Sequence, residues 1–470
     1  MKRLWCSALG VFIALPLVVL AWAFLLPAQY TETWLGELAA KRDLLAAAHD
    51  RPRIVFVGGS AVAFGVDSAL LEQQLPEYET VNFGLYAALG TRVMLDLSQN
   101  DLRAGDIVIV MPEQQAQTLS DYLGAEAMWQ AADGDFSALL ALHTRDVGQM
   151  LGRLPAFAGR KLTYWLSGGL VPTGVYQRAS FDENGDVVSD LCAANIMPDG
   201  YDASTPILFD GSVLGRDFCA DVNAYVATLA ERGVQVWYHF PPMNADAVAE
   251  GSEVDAYADT LRGRLDCPLV GDPKDCILES GWFYDTNFHL NASGKTVFTR
   301  QLARDIKAML GDASPTEIAL PDMPAPVGES TTADLDSTDA ECFVYESAAD
   351  GLTIAGLTDA GRARTALTLP AQAQGRSVTA LAAGALAGSA TKSVTVQSNI
   401  GYLPDGAFSG CEALRTVIVQ QPDPTQLRVG TALLDGAPAA CRIEVPPESY
   451  TAYCLSYAWA PYTGRLRAGG

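Results

Sequence analysis

The sequence predicts an α/β fold built on a mostly parallel sheet. Two observations carry the prediction. Short apolar runs alternate with amphipathic segments between about residues 51 and 312, and the best-defined runs are apolar throughout rather than at every second position. A strand apolar on both faces is buried on both, as happens when helices cover a parallel sheet on either side.

Taken in order, Ile54-Val-Phe-Val57 is a strand ending in Gly58-Gly59-Ser60. Asp67 caps a helix running through Leu75, and Thr80-Val81-Asn82 is a second strand. Gly90 to Asn100 is helical, with Val93, Leu95 and Leu97 apolar, and Asp106 to Met111 is a third strand. The stretch from Pro112 to Ala220 is less regular and is predicted to be an insertion that caps the fold or forms a substrate wall. Asp221 to Arg232 forms an amphipathic helix stopped by Gly233; Val234 to Phe240 is a strand closed by Pro241-Pro242; and Ala292 to Leu310 is the last helix.

The chain opens on Met1-Lys2-Arg3 and an apolar run from Leu4 to Leu26. A helix of that length reaches about 34 Å, enough for a hydrocarbon core of roughly 30 Å. Residues 1–28 are therefore expected to be a transmembrane anchor, with Lys2 and Arg3 cytoplasmic and the rest of the chain outside. A cleaved signal peptide is the alternative, although its apolar region is ordinarily shorter and no clear small-x-small cleavage site precedes Gln29. Residues 29–50 are expected to be a helical stalk, and 51–312 the α/β domain. Outside the cell disulfides can form: Cys267 with Cys276 is the expected pair, and Cys192 with Cys219 a second.

Composition narrows the partners. A formal net charge of −24 opposes nucleic acid and an anionic lipid surface. No Cys-x-x-Cys occurs, which argues against structural zinc, and no cofactor motif is present. Asp182-Glu-Asn-Gly-Asp186 lacks the glycine and distal glutamate of a calcium loop and is expected to be a hairpin turn at Asn184-Gly185. Residues 313–340, rich in Pro, Asp, Ser and Thr, form a linker.

Beyond the linker, in residues 341–470, Val378 to Gly388 aligns with Ile400 to Gly410, and each is followed by a short strand, Ser393–Val396 and Thr416–Val419. Leu381 matches Leu403, Ala385 matches Ala407, and Leu386 matches Phe408. The stretch Leu403-Pro-Asp-Gly-Ala-Phe-Ser-Gly-Cys-Glu-Ala-Leu-Arg-Thr-Val-Ile418 resembles the BspA-like leucine-rich repeat of bacterial surface proteins. The resemblance implies a small solenoid that serves as a spacer or as a module for a protein or glycan ligand.

Any imidazole chemistry must use His49, His143, His239 or His289. His239, beside Trp237 and Tyr238 in a strand, reads as a core histidine; His49 and His143 read as solvated helix residues. Phe240-Pro-Pro-Met-Asn244 closes a strand at the edge where open α/β sheets place their sites, and Asn244 is a candidate site residue there.

Val57-Gly-Gly-Ser-Ala-Val-Ala-Phe-Gly65 resembles the first block of the SGNH hydrolases, Val81-Asn82-Phe83-Gly84 the second, and Tyr284-Asp-Thr-Asn-Phe-His-Leu-Asn-Ala-Ser-Gly294 the last. The resemblance implies a flavodoxin-like three-layer α/β/α domain. It implies Ser60 as nucleophile, His289 as base and Asp285 as its orienting acid. Gly84 and Ser60 N–H would form an oxyanion hole, with Asn82 nearby and Gln114 as a candidate third donor. The sequence departs from the pattern at three points. Gly59 stands for the usual Asp, Thr286 stands where the acid is usually found, and the third strand ends in Met111-Pro112-Glu113-Gln114-Gln115 without Gly-x-Asn-Asp. Membrane-anchored relatives that transfer acyl groups to envelope polymers share this layout. The resemblance thus implies an acyl esterase or O-acyltransferase on cell-envelope or extracellular glycans. The alternative is a non-catalytic surface protein with a degenerate SGNH-like domain.

Overall fold

The computed structural model describes residues 15–166, 169–170, 172, 175–197, 200–203, 205–324, 340–348, 351–373, 376–424, 426–430, 432–456 and 458–469. They divide into two compact units, one of residues up to 170 and from 178 to 329, the other of residues 330–470 with 171–177.

The first unit begins with a helix over residues 15–25, α1, and continues through α2 (Glu37–Ala46), β1 (Arg53–Gly58), α3 (Ser60–Gly65), α4 (Ser68–Gln74), β2 (Glu79–Gly84), α5 (Thr91–Ser98) and β3 (Ile107–Met111). Then come α6 (Ala125–Ala131), α7 (Val147–Leu166), α8 (Phe218–Ala230), β4 (Gln235–His239), β5 (Met243–Asn244), α9 (Val254–Arg264), β6 (Leu269–Val270), β7 (Ile277–Leu278) and α10 (Ala292–Leu310). The main sheet has the order β2-β1-β3-β4-β6, and every pairing in it is parallel. All residues of β1 and β3 are buried, as their unbroken apolar runs require.

One charge inside the sheet has an electrostatic cause for its position. Arg53 opens β1 and is 1% exposed; its Nε and Nη2 donate to Asp106 Oδ2 at 3.1 and 2.5 Å. Its remaining donors reach the carbonyls of Leu45 at 2.6 Å and Asp101 at 2.8 Å. A buried guanidinium is tolerable only when paired and hydrogen-bonded throughout, and this one joins β1, α2 and the entry to β3.

Three expectations need correction here, those for the stalk, the disulfides and the start of the linker. The segment expected to be a stalk is folded into the unit: Tyr30, Trp34, Leu35 and Leu38 are buried, and Trp34 Nε1 donates to Leu85 O at 2.7 Å. The periodicity of 29–50 does identify a helix, but its apolar face belongs to this core. Of the membrane run, residues 4–14 lie outside the described residues, 15–25 are helical, and among the described residues no helix is long and apolar enough to cross a membrane. The expected disulfides do not form, because all eight described cysteines are free and buried. Cys192 lies within electrostatic reach of Asp285, whereas Cys219 neighbours Cys267, so the second pair is separated by the fold. Residues 311–324 have no regular structure, yet Ile318 is buried and Glu317 N–H donates to Gln74 Oε1 at 3.0 Å, so the start of the linker packs on its own unit.

The second unit begins with β8 (Phe343–Ala348) and β9 (Gly351–Leu357), an antiparallel pair, followed by α11 (Asp359–Arg362), β10 (Ala366–Thr368), β11 (Gln372–Ala373), β12 (Arg376–Leu381) and β13 (Ser393–Val396). It ends with β14 (Tyr402–Leu403), β15 (Thr416–Val419), β16 (Arg428–Val429), β17 (Arg442–Val445), α12 (Tyr450–Leu455) and β18 (Leu466–Ala468). Strands alternate between two ladders, β9-β12-β14-β16 and β10-β13-β15-β17-β18, each parallel throughout. The aligned residues Leu381, Leu403, Ala385, Ala407, Leu386 and Phe408 are all buried. The same bond recurs from one unit of sequence to the next, with Gly384 N–H to Gly406 O and Gly406 N–H to Ala432 O, both at 2.9 Å. Gly388, Gly410 and Gly436 take φ of +69°, +75° and +80°, a conformation other residues enter at a cost. Tyr453 and Trp459 close the far end by donating to Gln421 O at 2.6 Å and Pro424 O at 3.2 Å.

Replacing Arg53 with Ala leaves Asp106 charged and unpaired in the sheet. The expected loss is about 3–5 kcal/mol, read as a fall in the denaturant midpoint.

Candidate functional site

The turn from β1 into α3 carries Ser60 to the carboxyl edge of the sheet, next to the ends of β2 and β3. The elements approach closely there. A Cβ at Gly84 would overlap the Val62 side chain and the Ala63 backbone nitrogen, and a Cβ at Gly59 would overlap the Glu113 carboxylate. Glycine at both positions is therefore a packing requirement, and the space beside Gly59 is filled by the Glu113 carboxylate.

Glu113, just beyond β3, is 1% exposed. Its Oε1 accepts from Ala61 N–H at 2.9 Å and from the Ser60 hydroxyl at 3.4 Å, while Oε2 has no partner among the described residues. Burial pushes the Glu113 carboxyl above its ordinary value of 4.5, against the opposing pull of the Ala61 N–H, its own backbone N–H, the His289 charge and the Ser60 hydroxyl. Sequence reasoning assigns Glu113 no role; the signal for it is an acid just after an apolar strand opposite the Gly58-Gly59 turn.

His289 and Asp285 sit on the loop before α10. Asp285 Oδ1 and His289 Nδ1 are 2.7 Å apart, so Nδ1–H donates to the carboxylate and Nε2 is left as the acceptor nitrogen. Thr286 closes the turn between them: its Oγ1 accepts from Phe288 N–H at 3.2 Å and His289 N–H at 3.1 Å. Four-residue spacing thus reaches the imidazole because the intervening turn is capped. Asn291 caps α10 through Gly294 N–H at 2.9 Å.

The imidazole lies flat on Phe64, with ring centroids 4.1 Å apart and planes at 7°. Trp34 stacks on Phe64 at 5.3 Å. Phe64 is one helical turn after Ser60, so both lie on one face of α3. His289 is therefore brought to the helix face that carries Ser60, and it acts electrostatically on the carboxyl that holds the Ser60 hydroxyl. Ser60 and His289 are each 6% exposed. The hydrogen bond of Ser60 Oγ runs to Glu113, and at 3.4 Å it is longer than a well-formed hydroxyl bond.

The expected oxyanion and substrate groups are committed elsewhere. Gly84 N–H donates to Asn82 Oδ1 at 3.0 Å. Asn82 Nδ2 donates to Val62 O at 3.0 Å and Asp186 Oδ1 at 2.8 Å. Gln114 Nε2 donates to Leu208 O at 3.0 Å. Asn244 Nδ2 donates to Gly200 O at 2.9 Å, and its Oδ1 caps the turn at Asp246 N–H. All three side chains are buried, so they organise the walls of the site.

A polar network holds β2 from behind. Lys41 Nζ donates to Asn82 O at 2.8 Å and Gly185 O at 2.6 Å, and burial lowers it to about 8. Asp186 accepts from Ser68 N–H at 2.6 Å and Ser68 Oγ at 2.9 Å; burial raises it to about 6. The turn at Asn184-Gly185 therefore docks on β2, with Asp182 Oδ1 accepting from Asn184 and Asp186 N–H. His239 is a core residue, its ring nitrogens 2.6 Å from Phe240 O and 3.1 Å from Asp305 Oδ2. His49 departs from the expected solvated helix position: it lies beyond α2, mostly buried, between Glu79 and Leu44 O. His143 heads a short 3-10 turn and is paired with Asp96 at 3.1 Å.

Compared with protein-family models and with curated proteins, the sequence matches none.

Glu113→Gln tests the burial of the Glu113 acid. A carboxyl raised by folding contributes stability that is full below its unfolded value and lost as pH rises through its folded value. Wild-type stability should therefore fall relative to Glu113→Gln as pH rises above about 4.5 in denaturant titrations. Parallel curves would show that the carboxyl is not held in its neutral form.

Proposed function

We propose that the first unit is an SGNH-like acyl esterase or O-acyltransferase, anchored to the cell membrane by its N-terminal segment and facing outward, that acts on acylated envelope or extracellular glycans. The observation that supports this most is the Asp285–His289 pair, 2.7 Å apart and stacked on Phe64 one turn from Ser60.

In this reading Ser60 Oγ attacks the acyl carbonyl and His289 Nε2 takes its proton. Asp285 fixes the tautomer and stabilises the imidazolium. The C–O bond to the sugar breaks, and the departing oxygen recovers the proton from His289. Water, or a second sugar hydroxyl, then cleaves the acyl-enzyme by the reverse sequence, giving hydrolysis or transfer. No metal or organic cofactor is required. The second unit, read as a BspA-like leucine-rich repeat solenoid, positions the enzyme or holds a protein or glycan.

A non-catalytic surface role is the second reading. It is favoured by the Ser60 hydroxyl's bond to Glu113 and by the committed Gly84 and Gln114 donors.

The full chain treated with a fluorophosphonate should be labelled on Ser60, and Ser60→Ala should abolish the labelling. Asp285→Asn should reduce turnover of short acyl esters by up to about 10⁴-fold, the cost of the wrong tautomer in a serine triad. Absence of labelling, or labelling that persists in Ser60→Ala, would favour the non-catalytic reading.

A further inference from the structure

Exposed large apolar side chains of the first unit concentrate in two neighbouring places. Leu15, Leu17, Val18, Leu20, Phe24 and Leu25 lie on α1. Leu140, Val147, Leu151, Trp165 and Leu166 lie on α7 and the turn before it, with Leu140 87% and Leu166 70% exposed.

The helix α7 has two apolar faces. Met150, Leu154, Phe157 and Tyr164 are buried in the unit. At 100° per residue, Val147, Leu151, Pro155, Leu162, Trp165 and Leu166 fall within an arc of about 100° beside that buried face. On the same side, a Cβ added at Gly148, Gly152 or Gly159 would meet nothing within 4 Å. The helix contains no Asp or Glu, although the chain's net charge is −24; Arg153 and Arg160 lie on the side away from the stripe, and Arg160 is paired with Glu126. Such a helix suits the boundary between phosphate headgroups and acyl chains, where a half-exposed Trp165 is also at home.

The position of α1 bears on what covers this face. Lys161, buried in α7, donates to Ala23 O at 2.9 Å and pairs with Asp133 at 2.6 Å; Asp133 also accepts from Gln29 N–H at 2.7 Å. Phe24 packs edge-on against Phe136 at 4.9 Å and Trp129 at 6.0 Å. The C-terminal end of α1 thus meets α7 at Lys161, on the buried face that borders the exposed stripe. Leu140 follows Phe136 on the turn that Phe24 touches.

We propose that the exposed stripe of α7, with Leu140, seats in the surface of a phospholipid bilayer and holds the unit against the membrane. This inference rests on the N-terminal segment being a membrane anchor. It adds a second, peripheral contact, which would fix the site's height above the bilayer and direct it to glycans close to the surface.

The test uses the full chain reconstituted in phosphatidylcholine vesicles whose acyl chains carry a diazirine, with cross-linked residues mapped by mass spectrometry after irradiation. Labelling is expected at 140 and 147–166 as well as in the N-terminal segment. In the double variant Leu151→Glu, Leu166→Glu, α7 labelling should drop by at least about tenfold while N-terminal labelling persists. Both positions are exposed, and an unchanged thermal transition will show that the variant folds. Labelling confined to the N-terminal segment would overturn this inference and leave the anchor intact. No labelling anywhere would overturn both. Absence of lipid label on α7 together with a dimer that Leu151→Glu, Leu166→Glu dissociates would assign the face to self-association and overturn the inference.

Discussion

The candidate site depends on one bond, from Ala61 N–H to Glu113 Oε1 at 2.9 Å. It ties the first turn of α3 to the end of β3 at the point where Gly59 leaves room for nothing larger than hydrogen. With the turn held there, Ser60 and Phe64 face the loop before α10, and Phe64 offers the flat surface on which His289 lies. A carboxyl placed there is expensive, since it is desolvated and one oxygen has no partner among the described residues. Such an arrangement is more at home in a functional site than in an ordinary core, where apolar packing is the cheaper solution.

Much of the sheet was legible because strands buried on both faces reveal themselves through composition alone. Ile54–Val57 and Asp106–Met111 correspond to β1 and β3 within a residue or two. The short β5, β6 and β7 were not legible, since two residues hold no period. Nor was the 20-residue helix α7, where Pro155 and several glycines hide a helix that keeps its regular form. The segment at 29–50 was correctly helical but wrongly detached, because local periodicity states that an apolar face exists and not what covers it. Trp34 shows the consequence: it supports Phe64 beneath His289, a role fixed by tertiary contact alone.

The site was half legible. Motif resemblance singles out Ser60, Asp285 and His289, and Asp285 reaches His289 across four residues because Thr286 caps the turn. The polar groups around them were misjudged for one shared reason. Asn82, Gln114 and Asn244 are hydrogen-bonding residues near strand ends, and sequence does not distinguish a donor aimed at a ligand from one satisfying a neighbouring carbonyl. In the second unit the repeat was legible because each sequence unit meets the same neighbours, so equivalent leucines and glycines carry equivalent constraints.

The buried thiols have a kinetic meaning. Burial raises Cys267 and Cys454 to about 12 and Cys411 and Cys441 to about 11, so at neutral pH hardly any of these sulfurs is in the nucleophilic form. Oxidants and alkylating reagents can therefore reach them only through transient opening. Cysteines of both units thus act as built-in clocks for the lifetime of their surroundings, and any chemical ageing of the protein would follow its breathing rather than its exposure to the medium.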